Sequence, residues 1–423
     1  MKQYQRLRIA YLIPEWPGQT HIWMWREICH LREFGAEVIV YATQPPPARD
    51  RARHAFAAEA ARATRYLWPR PVANVATDAI LTLARSPLTA ARAIKQLASL
   101  PLSGRTGLRT SLPIVLAAAE MAAMARRDGI DHVHVASAAR CALIAMSLKS
   151  LVGMPFSLTI NANVSWWGGA MREKFEAADL VVSIADWLCG DIRAVVPDLP
   201  SERLILAPVG VDTREWPWVA RSWPSAGEPI RLVSVGRLHL SKGHDTLISA
   251  VAQLAEEGMA VRLRILGDGP DRPRLEALIG ESKLGQIVQL LGSVDEATVR
   301  REIGASHIFA LASHAEPLGV VYMEAMATGI PTIGTDAGGV REIIADGVTG
   351  YLVPARSPAV LASTIRAITL DPERALRVGA AGRAFIEQHF DSRIGAATLL
   401  QAIRRTLEAK RIPAPSDGGE RRS

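Results

Sequence analysis

The chain opens on an apolar run, LRIAYLIP, that ends in a turn, and the next stretch, THIWMWREICHLREFG, repeats apolar positions at helical spacing up to a glycine stop at Gly35. AEVIVYAT is a second apolar run, and a strand, helix, strand opening predicts a parallel sheet. Residues 48 to 127 are rich in Ala and Arg and read as helices with little strand character. DHVHVAS, FSLTI and LVVSIA then resume the strands, and RLILAPVGVD closes this half. Proline, serine and glycine interrupt all periodicity in RSWPSAGEP, residues 221 to 229.

Beyond that break the pattern is cleaner. IRLVSVGR, VRLRILGDG, IVQLLGS, HIFALAS, IPTIGT and TGYLVP are apolar runs separated by helical stretches such as HDTLISAVAQLAEEG. Alternation of this kind predicts a doubly wound sheet. The fold class expected is α/β, with two Rossmann-like doubly wound domains facing across a cleft, where open sheets of this type bind ligands. The divisions expected are residues 1–221, residues 222–390, a C-terminal helix over 391–411 that packs back toward the N-terminal domain, and a disordered tail over 412–423.

Composition narrows the class. The 423 residues are 49% hydrophobic and 22% charged, as in a globular protein too long for a single core. The apolar stretch Leu112 to Ala125 is interrupted by Glu120 and falls short of the roughly 20 residues of a spanning helix. The N-terminus enters a strand directly, without the apolar core and cleavage site of a secretory signal, so a cytoplasmic location is expected. Cys29, Cys141 and Cys189 stand singly and read as buried thiols in a reducing compartment.

The net charge of +7 is concentrated between Arg49 and Arg127, where thirteen basic residues face Asp50, Glu59, Asp78 and Glu120. Such a run is either a solvated face or a surface for anionic lipid or an acidic partner, each basic residue near anionic lipid contributing on the order of 1 kcal/mol. Nucleic acid is not expected, since the segment has few aromatics to stack bases and no recognisable binding motif.

The chemistry concentrates in the second half. SVGRLHLSKGHDTL sets Gly236 and Arg237 just after a strand and Lys242 and Gly243 just before a helix. A planar guanidinium, a mobile ammonium and backbone free to come close are suited to a diphosphate. In HAEPLGVVYMEAMATGIP a helix begins near Gly319, so its free N–H groups and positive dipole end lie beside Glu316. Glu324, eight positions after Glu316, lies about a turn and a half into that helix, within reach of sugar hydroxyls. Two carboxylates for hydroxyls and a helix start for phosphates together suit a nucleotide sugar.

VGRLHLSKG, LGDGP, LLGSV, EPLGVVYMEAMATGIPTIGTDAGGVREII and DGVTGYLVP, in this order over residues 230 to 355, resemble the retaining GT-B glycosyltransferases of family 4, also called group 1. The resemblance implies that Arg237 and Lys242 bind the donor pyrophosphate, Glu324 the ribose, and Glu316 the transferred sugar. It also implies that the backbone of Leu318, Gly319 and Val320 meets phosphate or sugar oxygens and that Val294 contacts the base through its main chain. No cofactor or metal is expected, the cations and helix dipole stabilising the leaving diphosphate.

In the loop PEWPGQTH after the first strand, Gly18 matches the glycine-containing turn that the family brings to the donor phosphates, and PGQTHIWMWRE and PFSLT are similar to a subgroup acting in bacterial exopolysaccharide synthesis. Trp23 and Trp25 read as a buried helix face. In DHVHVASAA an ungapped register pairs His134 with the first histidine of the family's His-x-His and Ala136 with the second, which faces the reaction centre. A register shifted by two puts His134 itself at the active site. Asn161 stands where a histidine is usual, and asparagine cannot carry a proton.

The activity implied is retaining transfer of a hexose from a nucleoside-diphosphate sugar to a lipid-linked glycan in exopolysaccharide or lipopolysaccharide synthesis, at the cytoplasmic face of the inner membrane. Three alternatives stay open. One is a catalytically weakened homologue serving as a binding subunit of a polysaccharide assembly complex. Another is an inverting GT-B enzyme such as a sugar-nucleotide epimerase, and the remotest is a nicotinamide enzyme, for which no G-x-G-x-x-G follows the first strand.

Overall fold

The computed structural model describes residues 6–411 apart from 19, 49–50, 52–53, 69–71, 86, 104–106 and 226. The tail expected to be disordered, residues 412–423, lies outside the described residues, as do Arg49, Asp50, Arg53, Arg70 and Arg105 of the basic segment.

Seven strands form the first sheet: β1 (Arg8–Glu15), β2 (Glu37–Gln44), β3 (Arg65–Tyr66), β4 (His132–Val135), β5 (Phe156–Ile160), β6 (Leu180–Ser183) and β7 (Leu204–Leu206). Their order is β3-β2-β1-β4-β5-β6-β7, and all pairs are parallel. The second sheet has six: β8 (Ile230–Val235), β9 (Val261–Leu266), β10 (Val288–Gly292), β11 (Ile308–Ala310), β12 (Thr332–Thr335) and β13 (Tyr351–Val353). These too are parallel, in the order β10-β9-β8-β11-β12-β13.

Both sheets start at an inner strand, wind outward one way, then return to wind the other way. This is the Rossmann order, and its reversal leaves a crevice beyond the carboxyl ends of β1 and β4, and again beyond β8 and β11. Every residue of β4, β5 and β6 is buried, as expected where helices cover both faces of a parallel sheet. The apolar runs read from the sequence became strands, so the two-domain α/β architecture stands. β3 is the exception: an edge strand of two residues leaves no periodic signature in a helical segment.

The chain crosses between the lobes earlier than the break at 221–229 suggests. Val219 N–H already donates to the carbonyl of Thr328 in the second lobe, at 3.2 Å. The crossing runs at Val211, whose N–H donates to Phe390 O at 3.0 Å and whose carbonyl accepts from Ser392 N–H at 3.0 Å. Thr213 Oγ1 donates to Asp391 Oδ2 at 2.6 Å. The outgoing and returning segments are therefore tied to one another at the hinge. After the return, the helix Ser392–Arg411 lays Leu399, Leu400 and Ile403 into the core formed by Ile9, Tyr11, Met24, Ile28 and Leu31. No described helix is long and apolar enough to cross a membrane.

Candidate active site

The loop after β8 carries Arg237, and a short turn over Leu240–Lys242 brings Lys242 toward the loop after β11. Gly243 makes this approach possible: its φ is +63°, and a Cβ there would lie 1.8 Å from the carbonyl oxygen of Ala312. Lys242 Nζ donates to Glu316 Oε2 at 2.5 Å, and Ser313 Oγ donates to the same oxygen at 3.3 Å. Arg237 is exposed, and its side chain makes no hydrogen bond or ion pair among the described residues.

Gly319 caps the helix Val320–Ala327 with φ +95°, a conformation that side chains rarely adopt. A Cβ at Gly319 would lie 3.1 Å from Cγ of Glu316, so the helix start and Glu316 are neighbours. Leu318 is buried, Val320 half-buried, and Gly339 N–H holds the loop by donating to Glu316 O at 2.9 Å. The structure thus unites Lys242, Glu316 and the helix start beside Gly319. Arg237 stands at the same strand end without touching them.

Glu324 is in the same helix but is answered from the other lobe. Arg26, in the helix Ile22–Glu33 after β1, donates from Nη1 to Glu324 Oε1 at 2.9 Å. Glu296 and Glu215 also approach the Arg26 guanidinium, at 3.4 and 3.6 Å. Burial pushes the Glu324 carboxyl above its ordinary value, and the Arg26 charge pulls it back down. Among the described residues, the sequence offered no signal for this pairing, since the partners are 298 positions apart.

A second bridge closes the far side of the cleft. The carboxylate of Glu342 accepts from the backbone N–H groups of Asp186 and Trp187, at 2.8 and 2.9 Å, where the helix Asp186–Val195 begins. Trp187 Nε1 donates to Pro317 O at 2.8 Å, next to Glu316. An anion at a helix start satisfies free N–H groups and meets the positive end of the dipole.

Val294 is half-buried in the loop after β10, two residues before Glu296. Gly18, after β1, is held within its own lobe, its N–H donating to His21 Nδ1 at 2.9 Å. Trp25 stacks on Phe56 with centroids 4.8 Å apart, and both Trp23 and Trp25 are half-buried on their helix. Of the thiols, Cys141 and Cys189 are buried and Cys29 half-buried, all three free.

His134, which one of the two registers puts at the active site, lies inside the first sheet. His134 is on β4, 0% exposed, with Nδ1 2.8 Å from Ser157 Oγ and Nε2 3.2 Å from Thr159 Oγ1. Burial lowers its pKa to about 3, so it is a neutral core group. It packs 4.9 Å from the ring of Tyr11, whose hydroxyl donates to Glu27 Oε2 at 2.5 Å. Ala136 takes the strand-end position, and Asn161 Nδ2 donates to its carbonyl at 3.2 Å.

Among the described residues no group of three His, Cys, Asp or Glu side chains is placed to hold a metal ion. A cavity of about 730 Å³ lies on the flank of the first lobe, away from the Lys242–Glu316 pair, with Asn163, Ser165, Arg172, Glu173 and Asp191 in its wall.

Residues 219–385 match the family of glycosyl transferases group 1. The chain is 32% identical over 243 residues to the putative colanic acid biosynthesis glycosyltransferase WcaL of Escherichia coli, covering 55% of this chain and 59% of that protein. It is 26% identical over 219 residues to the amylovoran biosynthesis glycosyltransferase AmsK of Erwinia amylovora, covering 50% and 53%. The matched region thus spans little more than half the length of these curated relatives. In three dimensions it is similar to Anabaena Alr3699/HepE in complex with UDP-glucose, with a TM-score of 0.69, 17% identity, and 96% of this chain and 100% of that one covered. The strand order, the paired loops at the second switch point and these likenesses agree: the chain has the GT-B fold, and its residues 219–385 match the group 1 glycosyltransferases.

Proposed function

We propose that the protein is a retaining glycosyltransferase of exopolysaccharide or lipopolysaccharide synthesis that moves a hexose from a nucleoside-diphosphate sugar to a lipid-linked glycan. The observation that carries this reading is the convergence of Lys242, Glu316 and the helix start at Gly319 on one strand-end crevice, with Glu324 on the same helix. In this reading the diphosphate takes over the Lys242 ammonium and the N–H groups at Gly319, and Glu316, released from Lys242, accepts from hydroxyls of the transferred sugar. The Arg237 guanidinium has no protein partner among the described residues and is free to fold over the phosphates.

As the glycosidic bond to the diphosphate breaks, charge develops on the leaving phosphate, where the cations and the helix dipole stabilise it. The acceptor hydroxyl attacks the same face of the anomeric carbon, and its proton passes to the departing phosphate oxygen. That route needs no imidazole, which is consistent with Ala136 and Asn161 on the acceptor side. The leaving charge is assigned to these groups rather than to a metal.

UDP-glucose is bound by HepE, and WcaL and AmsK are named for exopolysaccharide synthesis, which supports the donor class and the pathway. Docking to an anionic membrane surface is supported by Ile80, Leu81 and Leu88, which are 61%, 54% and 74% exposed on the helices Val72–Arg85 and Pro87–Ala98. Arg85, Arg92 and Lys95 are exposed on the same two helices.

A non-catalytic binding subunit is the second reading, favoured by the missing imidazoles and the burial of His134. Incubation of the purified chain with radiolabelled UDP-glucose, UDP-galactose or GDP-mannose and an undecaprenyl-linked glycan extract separates the two. Labelled lipid with an anomeric bond of the donor's configuration supports transfer; donor binding without release of nucleoside diphosphate favours the binding subunit.

A further inference from the structure

The Arg26–Glu324 contact calls for a reason. Arginine is almost never buried without paired charges, and this one is only 3% exposed although it belongs to the lobe opposite the proposed donor site. Its carboxylate partners come from three separate segments: the hinge at Glu215, the helix start at Glu296 and the helix carrying Glu324. Of the three, Glu324 is nearest and is the most enclosed, its side chain 12% exposed against 19% for Glu296 and 47% for Glu215.

The pairing uses one oxygen of Glu324. Oε1 accepts from Arg26, whereas Oε2 has no hydrogen-bond donor among the described residues. An ionised carboxylate is an acceptor on both oxygens, and a vicinal diol offers two donors. A guanidinium that fixes Oε1 also sets the plane of the carboxylate, and its charge opposes the upward push of burial, favouring the form that accepts on both oxygens.

We infer that Arg26 is a positioning residue for the ribose end of the donor site: by fixing Oε1 of Glu324 from across the cleft, it presents Oε2 to the ribose hydroxyls, so that ribose recognition requires the two lobes to be closed. The inference rests on the donor-binding reading above. A merely structural salt bridge would hold the lobes together and leave the preference for ribose unchanged.

The test measures the affinities of UDP, GDP and ADP for the wild-type chain by calorimetry, then compares the tightest of them with its 2′-deoxy counterpart. The wild type is expected to prefer the ribonucleotide by about 10-fold or more, the loss of a hydrogen bond to a charged group. Arg26→Ala is expected to bring the two affinities within about threefold of one another, and Arg26→Lys to fall between. Lys242→Ala should weaken both nucleotides by the same factor and preserve the preference. Should Arg26→Ala fail to fold, Arg26→Lys decides alone: its effect on the preference must vanish when Glu324→Gln is already present.

A folded Arg26 variant that keeps the wild-type preference, or a wild type that shows none, overturns the inference and leaves the donor-binding reading intact. A wild type that binds none of the three nucleotides overturns both.

Discussion

Lys242 Nζ lies 2.5 Å from Oε2 of Glu316, joining a cation from the loop after β8 to a carboxylate from the loop after β11. Each neutralises the other in a half-buried setting, and a diphosphate would draw Lys242 away. Lys242→Ala is therefore expected to weaken a nucleoside diphosphate by about 10- to 100-fold, in line with a charge-assisted bond of about 1.5–3 kcal/mol. The corresponding monophosphate should weaken less. Competition titrations with UDP and UMP check this; equal losses for the two would remove Lys242 from the phosphates.

Glu316 and its neighbours separate binding from turnover. Glu316→Gln keeps the shape and one acceptor but removes the charge facing the sugar. Transfer should fall by about 100-fold or more while nucleoside diphosphate affinity changes less than about threefold, the pattern of a group that acts on the transferred sugar. Parallel measurement of kcat and of nucleotide affinity reads both numbers, and a loss confined to affinity would contradict the role.

The far bridge predicts a mechanical effect. Glu342 satisfies two N–H groups at the start of the helix Asp186–Val195. Glu342→Ala should accelerate amide exchange at Asp186 and Trp187 by about 10-fold or more, since about 1.4 kcal/mol of local stability is a factor of ten. Exchange at β4 amides, deep in the first sheet, should not change. Identical exchange at Asp186 and Trp187 in the two proteins would mean that the bridge does not hold the lobes.

Glu27 gives a pH dependence of defined sign. Burial raises its pKa to about 7 from 4.5, with the Tyr11 hydroxyl partly opposing the shift. Between pH 4.5 and 7 the folded chain holds this proton and the unfolded chain does not, so its contribution is full below about pH 4.5 and is lost as pH rises through about 7. The stability of wild type relative to Glu27→Gln should therefore decline over that window by on the order of 3 kcal/mol. The buried His132, with its pKa lowered to about 3, acts in the opposite direction but is common to both proteins and cancels in the difference. Urea unfolding of the two proteins at pH 5 and pH 7.5 measures it, and a constant difference would contradict the shift.

His134 tests the reading of the sequence itself. As a core group bonded to Ser157 and Thr159, its replacement by Ala should cost about 1–3 kcal/mol of stability and leave the transfer rate of the folded fraction within about threefold. The strands, the loops after β8 and β11 and the helix beginning at Gly319 were legible because each depends on residues close together in the chain. What sequence could not reveal is set by contacts between distant segments. Whether His134 or Ala136 meets the cleft depends on where β4 ends against β1 and β5. The lobe crossing at Val211 depends on the returning chain at Phe390 and Ser392, not on the prolines and glycine that follow. Arg26 carries no distinguishing signal in the sequence, and only the packing of the two lobes gives it Glu324.

Titration of the wild-type chain and of Lys242→Ala with UDP and GDP is the most direct measurement of the central claim, that one crevice in the C-terminal lobe receives a nucleoside diphosphate. Saturable binding of at least one of them at a single site per chain, weakened by about 10-fold or more in Lys242→Ala, is the result predicted. No heat from either nucleotide, or binding that Lys242→Ala leaves unchanged, would contradict it.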